Sequence, residues 1–181
     1  LAEKYPTVAA AASEIIKLEA LMRLPKGTEH FMSDLHGEDE AFTHILNNAS
    51  GVIREKIDTI FDDTVSAPER AELATLIYYP EEKLALLKEE NGPLSTEWYT
   101  ATLLHLVQVC RKATSKYTRS KVREALPADY AFVIEELITE KPEVLDKEAY
   151  YETIIDTIIQ IDRAESFIVA LSKLIQRLAV E

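Results

Sequence analysis

The chain has 181 residues, 47% of them hydrophobic, which suffices for one domain with a real core or for part of a larger one, but not for two independent domains. Thirty-two acids against twenty bases leave a formal charge of −12, which disfavours nucleic-acid backbones and anionic membrane surfaces and favours cations as partners. A lone Cys110 excludes an intramolecular disulfide and suits a reducing compartment, so a cytoplasmic location is expected; no apolar run reaches the ~18 to 20 residues of a membrane span, and no signal-peptide pattern opens the chain.

Four glycines, Gly27, Gly37, Gly51 and Gly92, fall well below the usual ~7% and leave little material for hairpins or a phosphate-cradling loop. The composition favours helices. Residues 7–23 place Ala12, Ile15, Leu18 and Met22 at helical spacing and predict an amphipathic helix that ends before Pro25. Lys26-Gly27 turns the chain. The segment "EHFMSD" is short, with a turn signal before it and Gly37 after it, and predicts a strand at about 29–34. From Glu38 the acids suit a helix's first turn, with Phe42, Ile45, Leu46 and Ala49 as its apolar face and Gly51 as its end.

Further helices are predicted at about 52–61, 68–77, 81–90, 95–116 and 119–126, punctuated by Pro68, Pro80, the "NGP" at 91–93 and Pro127. The last three, at about 128–140, 146–161 and 163–178, carry the strongest stripes. These are Ile154, Ile155, Ile158 and Ile161, then Phe167, Ile168, Leu171, Leu174, Ile175 and Leu178. The fold class is therefore mostly α, an irregular multi-helix bundle with a single short strand. One strand leaves two rows of backbone groups unpaired, so it lies at the surface or belongs to a sheet whose other strands are elsewhere.

The chemistry concentrates where that strand stops. Asp34 and His36, one residue apart at its carboxyl end and followed by Gly37, can turn toward one ion. A carboxylate oxygen with an imidazole nitrogen suits Mn²⁺, Fe²⁺ or Zn²⁺ better than Ca²⁺. The bland alternative makes Asp34 a helix cap and His36 an ordinary loop histidine. His30 shares a strand face with Asp34 at period two, and His44 lies one helical turn after Glu40, so either could orient the ligands from behind or serve packing alone. His105, amid Leu103, Leu104, Leu106 and Val107, reads as a core or groove residue.

The longer strings "LPKGTEHFMSDLHGEDEAF", "NNASG", "IYYPEEKL" and "SKYTRSKVREALP" together resemble the class III fructose-1,6-bisphosphatases of bacteria, over nearly the whole chain. The first string is also similar to the opening D-x-H-G motif of the calcineurin-like metallophosphoesterases. The resemblance implies that Asp34 and His36 are the first two ligands of a two-ion site, with Mn²⁺ as the metal, in an enzyme that hydrolyses fructose 1,6-bisphosphate to fructose 6-phosphate and phosphate in gluconeogenesis. It also implies that the strand belongs to an incomplete metallophosphoesterase α/β core. Residues 1–27 then form an N-terminal helix, 28–51 the first strand, metal loop and helix of that core, and 52–181 a helical insertion, all in one compact unit. The insertion would serve as a lid, an interface between copies in a homo-oligomer, or an effector domain.

The later motifs of that superfamily, G-D-x-x-D-R-G and G-N-H-E, do not occur between His36 and Glu181. Two ions about 3.5 to 4 Å apart cannot be held by one carboxylate and one imidazole, so the segment alone is expected to be inactive and to bind metal weakly. A second feature is basic. Arg111, Lys112, Lys116, Arg119, Lys121 and Arg123 gather six of the twenty bases within thirteen residues. Members of the resembled family respond to AMP and phosphoenolpyruvate, so Lys116, Arg119, Lys121 and Arg123 are candidate contacts for a substrate phosphate or an anionic effector. A solvated, acid-paired helix face is the alternative. For the chain as a whole the competing reading is a stand-alone helical protein-interaction or regulatory module.

Overall fold

The computed structural model describes residues 3–24, 31–34, 36–48, 51–139 and 147–180. Among them are ten α-helices: α1 (Val8–Leu21), α2 (Asp39–Asn48), α3 (Val52–Phe61), α4 (Ala67–Tyr78), α5 (Pro80–Asn91), α6 (Thr96–Thr114), α7 (Arg119–Ala125), α8 (Ala131–Thr139), α9 (Glu148–Gln160) and α10 (Ala164–Val180). A 3-10 turn, Ala128–Tyr130, leads into α8. The helix predicted over 128–140 is thus divided, its first turn tightened by a Tyr130 N–H to Pro127 carbonyl bond of 3.1 Å.

The strand expected at about 29–34 is corrected over its described part. Residues 31–34 form no strand, while 29 and 30 lie outside the described residues. The physical reason is pairing: every regular element among the described residues is a helix, which satisfies its own backbone and offers no ladder. What the described chain shows is a mostly helical fold.

The chain divides into two compact units, one holding α1 and the other holding α2 to α10. In the first, Thr7 caps α1 by accepting the Ala10 N–H at 3.1 Å. Its Ile15, Leu18 and Met22, expected as an apolar stripe, are exposed.

In the second unit α10 occupies the centre. It packs most extensively against α6 and also meets α3, α4, α5, α7 and α9. Phe167, Ile168, Leu171, Ile175 and Leu178 recur at helical spacing and are fully buried, as the stripe predicts. They meet Leu103, Leu106, Val109 and Cys110 of α6, Ile53 and Ile57 of α3, and Ile77 of α4 in one core. Each such side chain contributes about 1.5 to 3 kcal/mol by leaving water. The α9 stripe behaves the same way at Ile155 and Ile158. Ile161 sits past the last turn at the C-cap and is 60% exposed.

Two junctions matter for the site. Between α3 and α4, Arg70 bonds Asp58 at 2.7 Å and pairs with Asp62 at 3.3 Å, while its Nη1 donates to the carbonyls of Asp62 and Val65. Ser66 and Glu69 then start α4 with a reciprocal capping box. Between α4 and α5 the chain turns on one residue, Tyr79, because Pro80 cannot continue the α4 ladder and suits the first position of α5. Gln176 of α10 closes this elbow by donating to the freed carbonyls of Ile77 and Tyr78.

Leu171→Ala should lower the unfolding free energy by about 2 to 5 kcal/mol, whereas Ile161→Ala should stay within about 0.5 kcal/mol; denaturant midpoints compare them directly. Hydrogen bonds from Arg54 and then Arg70 hold the Asp58 carboxyl below its ordinary value, against a smaller opposing effect of burial. Its contribution is therefore complete above the ordinary carboxylate pKa and is lost as pH falls through the depressed one. Asp58→Asn should accordingly flatten the acid limb of the stability profile, and an unchanged limb would assign it elsewhere.

Candidate functional site

The loop before α2 brings its two candidate ligands together. His36 Nδ1 lies 2.7 Å from Asp34 Oδ1, and the two side chains are 75% and 68% exposed. The backbone makes this approach possible: His36 and Gly37 both take positive φ, 49° and 75°, a region costly for most residues but accessible to glycine and tolerated by histidine. The double turn reverses the chain so that Asp39 N–H reaches the Gly37 carbonyl at 3.1 Å, and α2 begins. Asp39 and Glu40 fill its first turn, where the helix dipole favours negative charge.

One oxygen and one nitrogen donor, both solvent-facing, have the chemistry that suits a divalent transition ion, and here they are bonded to each other. Among the described residues no group of three or more His, Cys, Asp or Glu side chains could enclose an ion. Of the two histidines considered as support for the ligands, His30 lies outside the described residues. His44 turns to the helical body: its Nδ1 is 2.6 Å from the Tyr79 hydroxyl, with the rings stacked at 16° and 6.2 Å between centroids.

The basic cluster is divided by its surroundings. Arg111 donates twice to the Leu137 carbonyl near the end of α8, at 2.9 and 2.6 Å. Lys116 lies 3.5 Å from the Ala179 carbonyl in the last turn of α10 and 4.8 Å from the Tyr117 ring centre. The Lys121 N–H takes the Thr118 cap of α7. Arg119 and Arg123 share a cleft of about 150 Å³ with Thr114, Tyr117, Glu135 and Thr139, and Arg123 bonds Glu135 at 2.6 Å.

One neighbour of the cluster escaped the sequence reading. Burial, followed by the charges of Lys116 and Lys112, pushes the half-buried Lys56 ammonium of α3 below its ordinary pKa. Lys56 thus feels the charges of Lys112 and Lys116 across the packing of α3 on α6. Lys56 stands in an ordinary amphipathic helix, and only the α3 to α6 packing makes it a neighbour.

Other displaced titrations belong to packing. Burial and a 2.9 Å bond to Glu165 push Tyr99 up to about 12, and burial alone accounts for Cys110 at about 12. Burial lowers His105, opposed by Glu69. His105 lines a cleft of about 500 Å³ with Leu73, Trp98, Glu69 and Glu72. Among the described residues no Lys or Arg lines that cleft, which makes its described lining ill suited to a phosphate ester.

Residues 1–181 match the family model described as Firmicute fructose-1,6-bisphosphatase. All 181 residues also align with proteins named fructose-1,6-bisphosphatase class 3. Identity is 56% with that of Clostridium acetobutylicum and 55% with that of Clostridium botulinum strain Loch Maree. It is 54% with that of Clostridium botulinum strain Hall. The chain spans 27% of the length of each of these relatives. No solved structure matches it.

Proposed function

Because the chain belongs to the Firmicute fructose-1,6-bisphosphatase family, we propose that it is the N-terminal segment of a metal-dependent enzyme that hydrolyses fructose 1,6-bisphosphate to fructose 6-phosphate and phosphate in gluconeogenesis. The observation that carries this reading is the family match over all 181 residues, and the 2.7 Å contact of His36 with Asp34 on an exposed loop is compatible with it. The match over all 181 residues favours it over an unrelated helical interaction module.

Asp34 and His36 are the ligands this segment contributes, with Mn²⁺ the proposed metal. When bound, the two-ion group supplies charge neutralisation on the phosphoryl oxygens and activation of water. The chain's own residues prepare for that. Asp34 presents a carboxylate oxygen and His36 an imidazole nitrogen within 2.7 Å of each other, a mutual bond that a bound ion would replace. Glu38, Asp39 and Glu40 raise the local concentration of cations beside them. The segment on its own is inactive in this reading, because two donors do not hold two ions.

The substrate is an anion approaching a chain of charge −12, and the basic region offsets that repulsion locally. Arg119 and Arg123 offer forked donors for a phosphate that the metal does not hold, or for an anionic effector such as AMP or phosphoenolpyruvate. Lys116 and Lys121 are the further candidates of the same sequence string, outside that cleft. The location proposed is cytoplasmic, which a buried, unreactive Cys110 thiol suits; no helix among the described residues is long and apolar enough to cross a membrane.

In the full-length protein, Asp34→Asn and His36→Ala should each cut turnover by more than about 100-fold, beyond the ~10 to 100-fold lost with a group that only supports a ligand. Each should also lower the bound Mn²⁺ measured after dialysis while leaving the far-UV circular dichroism unchanged. Near-normal turnover in either variant refutes its role. Arg119→Ala with Arg123→Ala should raise KM for the bisphosphate several-fold or blunt the effector response at constant Mn²⁺ content, and no change in either returns the cluster to a structural role.

A further inference from the structure

His44 stands on the helix that continues the metal-ligand loop, yet its ring faces a residue 35 positions away in the helical insertion. Three features make that contact more than surface decoration. First, loop and helix are continuous: the Gly37 carbonyl accepts the Asp39 N–H and the Glu38 carbonyl accepts the Phe42 N–H, so any displacement of α2 displaces the loop. His44 lies five residues into α2, about 7.5 Å along its axis at 1.5 Å per residue.

Second, over Asp39 to Ile45, the part of α2 whose side chains are described, little is buried. Asp39, Glu40, Ala41, Thr43, His44 and Ile45 are exposed, and Phe42 is only half-buried. A directed polar contact therefore weighs more in fixing this helix than it would in a buried one. Third, Tyr79 is among the better anchored residues of the insertion. Its N–H bonds the Thr75 carbonyl at 2.9 Å, its carbonyl accepts the Lys83 N–H at 2.9 Å, and Pro80 fixes the dihedral that follows. Gln176 of the central helix secures the two preceding carbonyls. The Tyr79 hydroxyl is thus presented by a rigid elbow, and His44 meets it at 2.6 Å with nearly parallel rings.

We propose that His44 and Tyr79 form a positioning latch that sets α2, and with it Asp34 and His36, against the α4 to α5 elbow, so that metal affinity at the loop depends on the helical insertion. The proposal rests on the reading of Asp34 and His36 as metal ligands. Neither latch residue is catalytic; both act through the placement of α2. The insertion in this view is a brace for the centre.

The test uses the full-length protein and Mn²⁺ as the probe, with free Mn²⁺ read by electron paramagnetic resonance. Tyr79→Phe and His44→Ala should each weaken Mn²⁺ binding by about 3- to 10-fold, less than a group touching a ligand, and the double variant should lose no more than either alone. His44→Asn, which offers a polar atom near the Nδ1 position, should recover part of the loss. Amide exchange should quicken over Asp39–Asn48 in Tyr79→Phe and remain unchanged over Ala164–Val180. Unaltered Mn²⁺ affinity in both latch variants, with Asp34→Asn abolishing it, overturns the latch and leaves the ligand reading intact. Additive losses overturn the coupling. Undiminished affinity in Asp34→Asn overturns the ligand reading beneath the proposal.

Discussion

Burial of one face of α10 organises the larger unit. Phe167, Ile168, Leu171, Ile175 and Leu178 are withdrawn from water together, and no single neighbouring helix could cover them all. Helix α6 lies along most of that face, and α3, α4, α5, α7 and α9 close around it. The same helix supplies polar groups at its margins. Gln176 finishes the end of α4, and Lys173 bonds Glu81 of α5 at 2.6 Å. Because these attachments fix the α4 to α5 elbow, the central helix also determines where Tyr79 holds its hydroxyl.

The candidate site depends on that body without belonging to its core. Asp34 and His36 are solvent-facing, and the loop owes its shape to two consecutive left-handed residues and the start of α2. This separation has a chemical logic. In the role proposed for it, the loop must leave room for further ligands and for substrate, which a tightly packed core does not allow, whereas its geometry must still be reproducible. A rigid helical body joined to the loop through one helix satisfies both demands. Glu38, Asp39 and Glu40 crowd the loop and the start of α2, while Lys56 of α3 and Lys112 of α6 belong to the helical body.

Much of this was legible in the sequence because helical stripes are local. The α10 stripe is a run of regularly spaced apolar side chains, and its buried members are the ones the spacing selects. Proline and glycine placed the elbow at Tyr79-Pro80 and the end of α5 at Gly92. The strand failed for a nonlocal reason: extended backbone is stabilised by a neighbour, and the described residues contain no second extended segment to supply one. Asp34 and His36 could be paired from their spacing alone. The partners of His44 and Lys56 could not, since Tyr79 lies 35 residues from His44 and Lys112 and Lys116 sit on another part of the fold. The basic string shows the opposite error. Contiguous in sequence, it is divided in space, with Arg111 and Lys116 drawn to helix ends by carbonyls that need donors.

The account is tested most directly by locating manganese in crystals of the full-length protein through its anomalous scattering. It predicts an ion within about 2.3 Å of both a carboxylate oxygen of Asp34 and a ring nitrogen of His36, with a second ion close by. Manganese bound with neither side chain in its coordination sphere would contradict it.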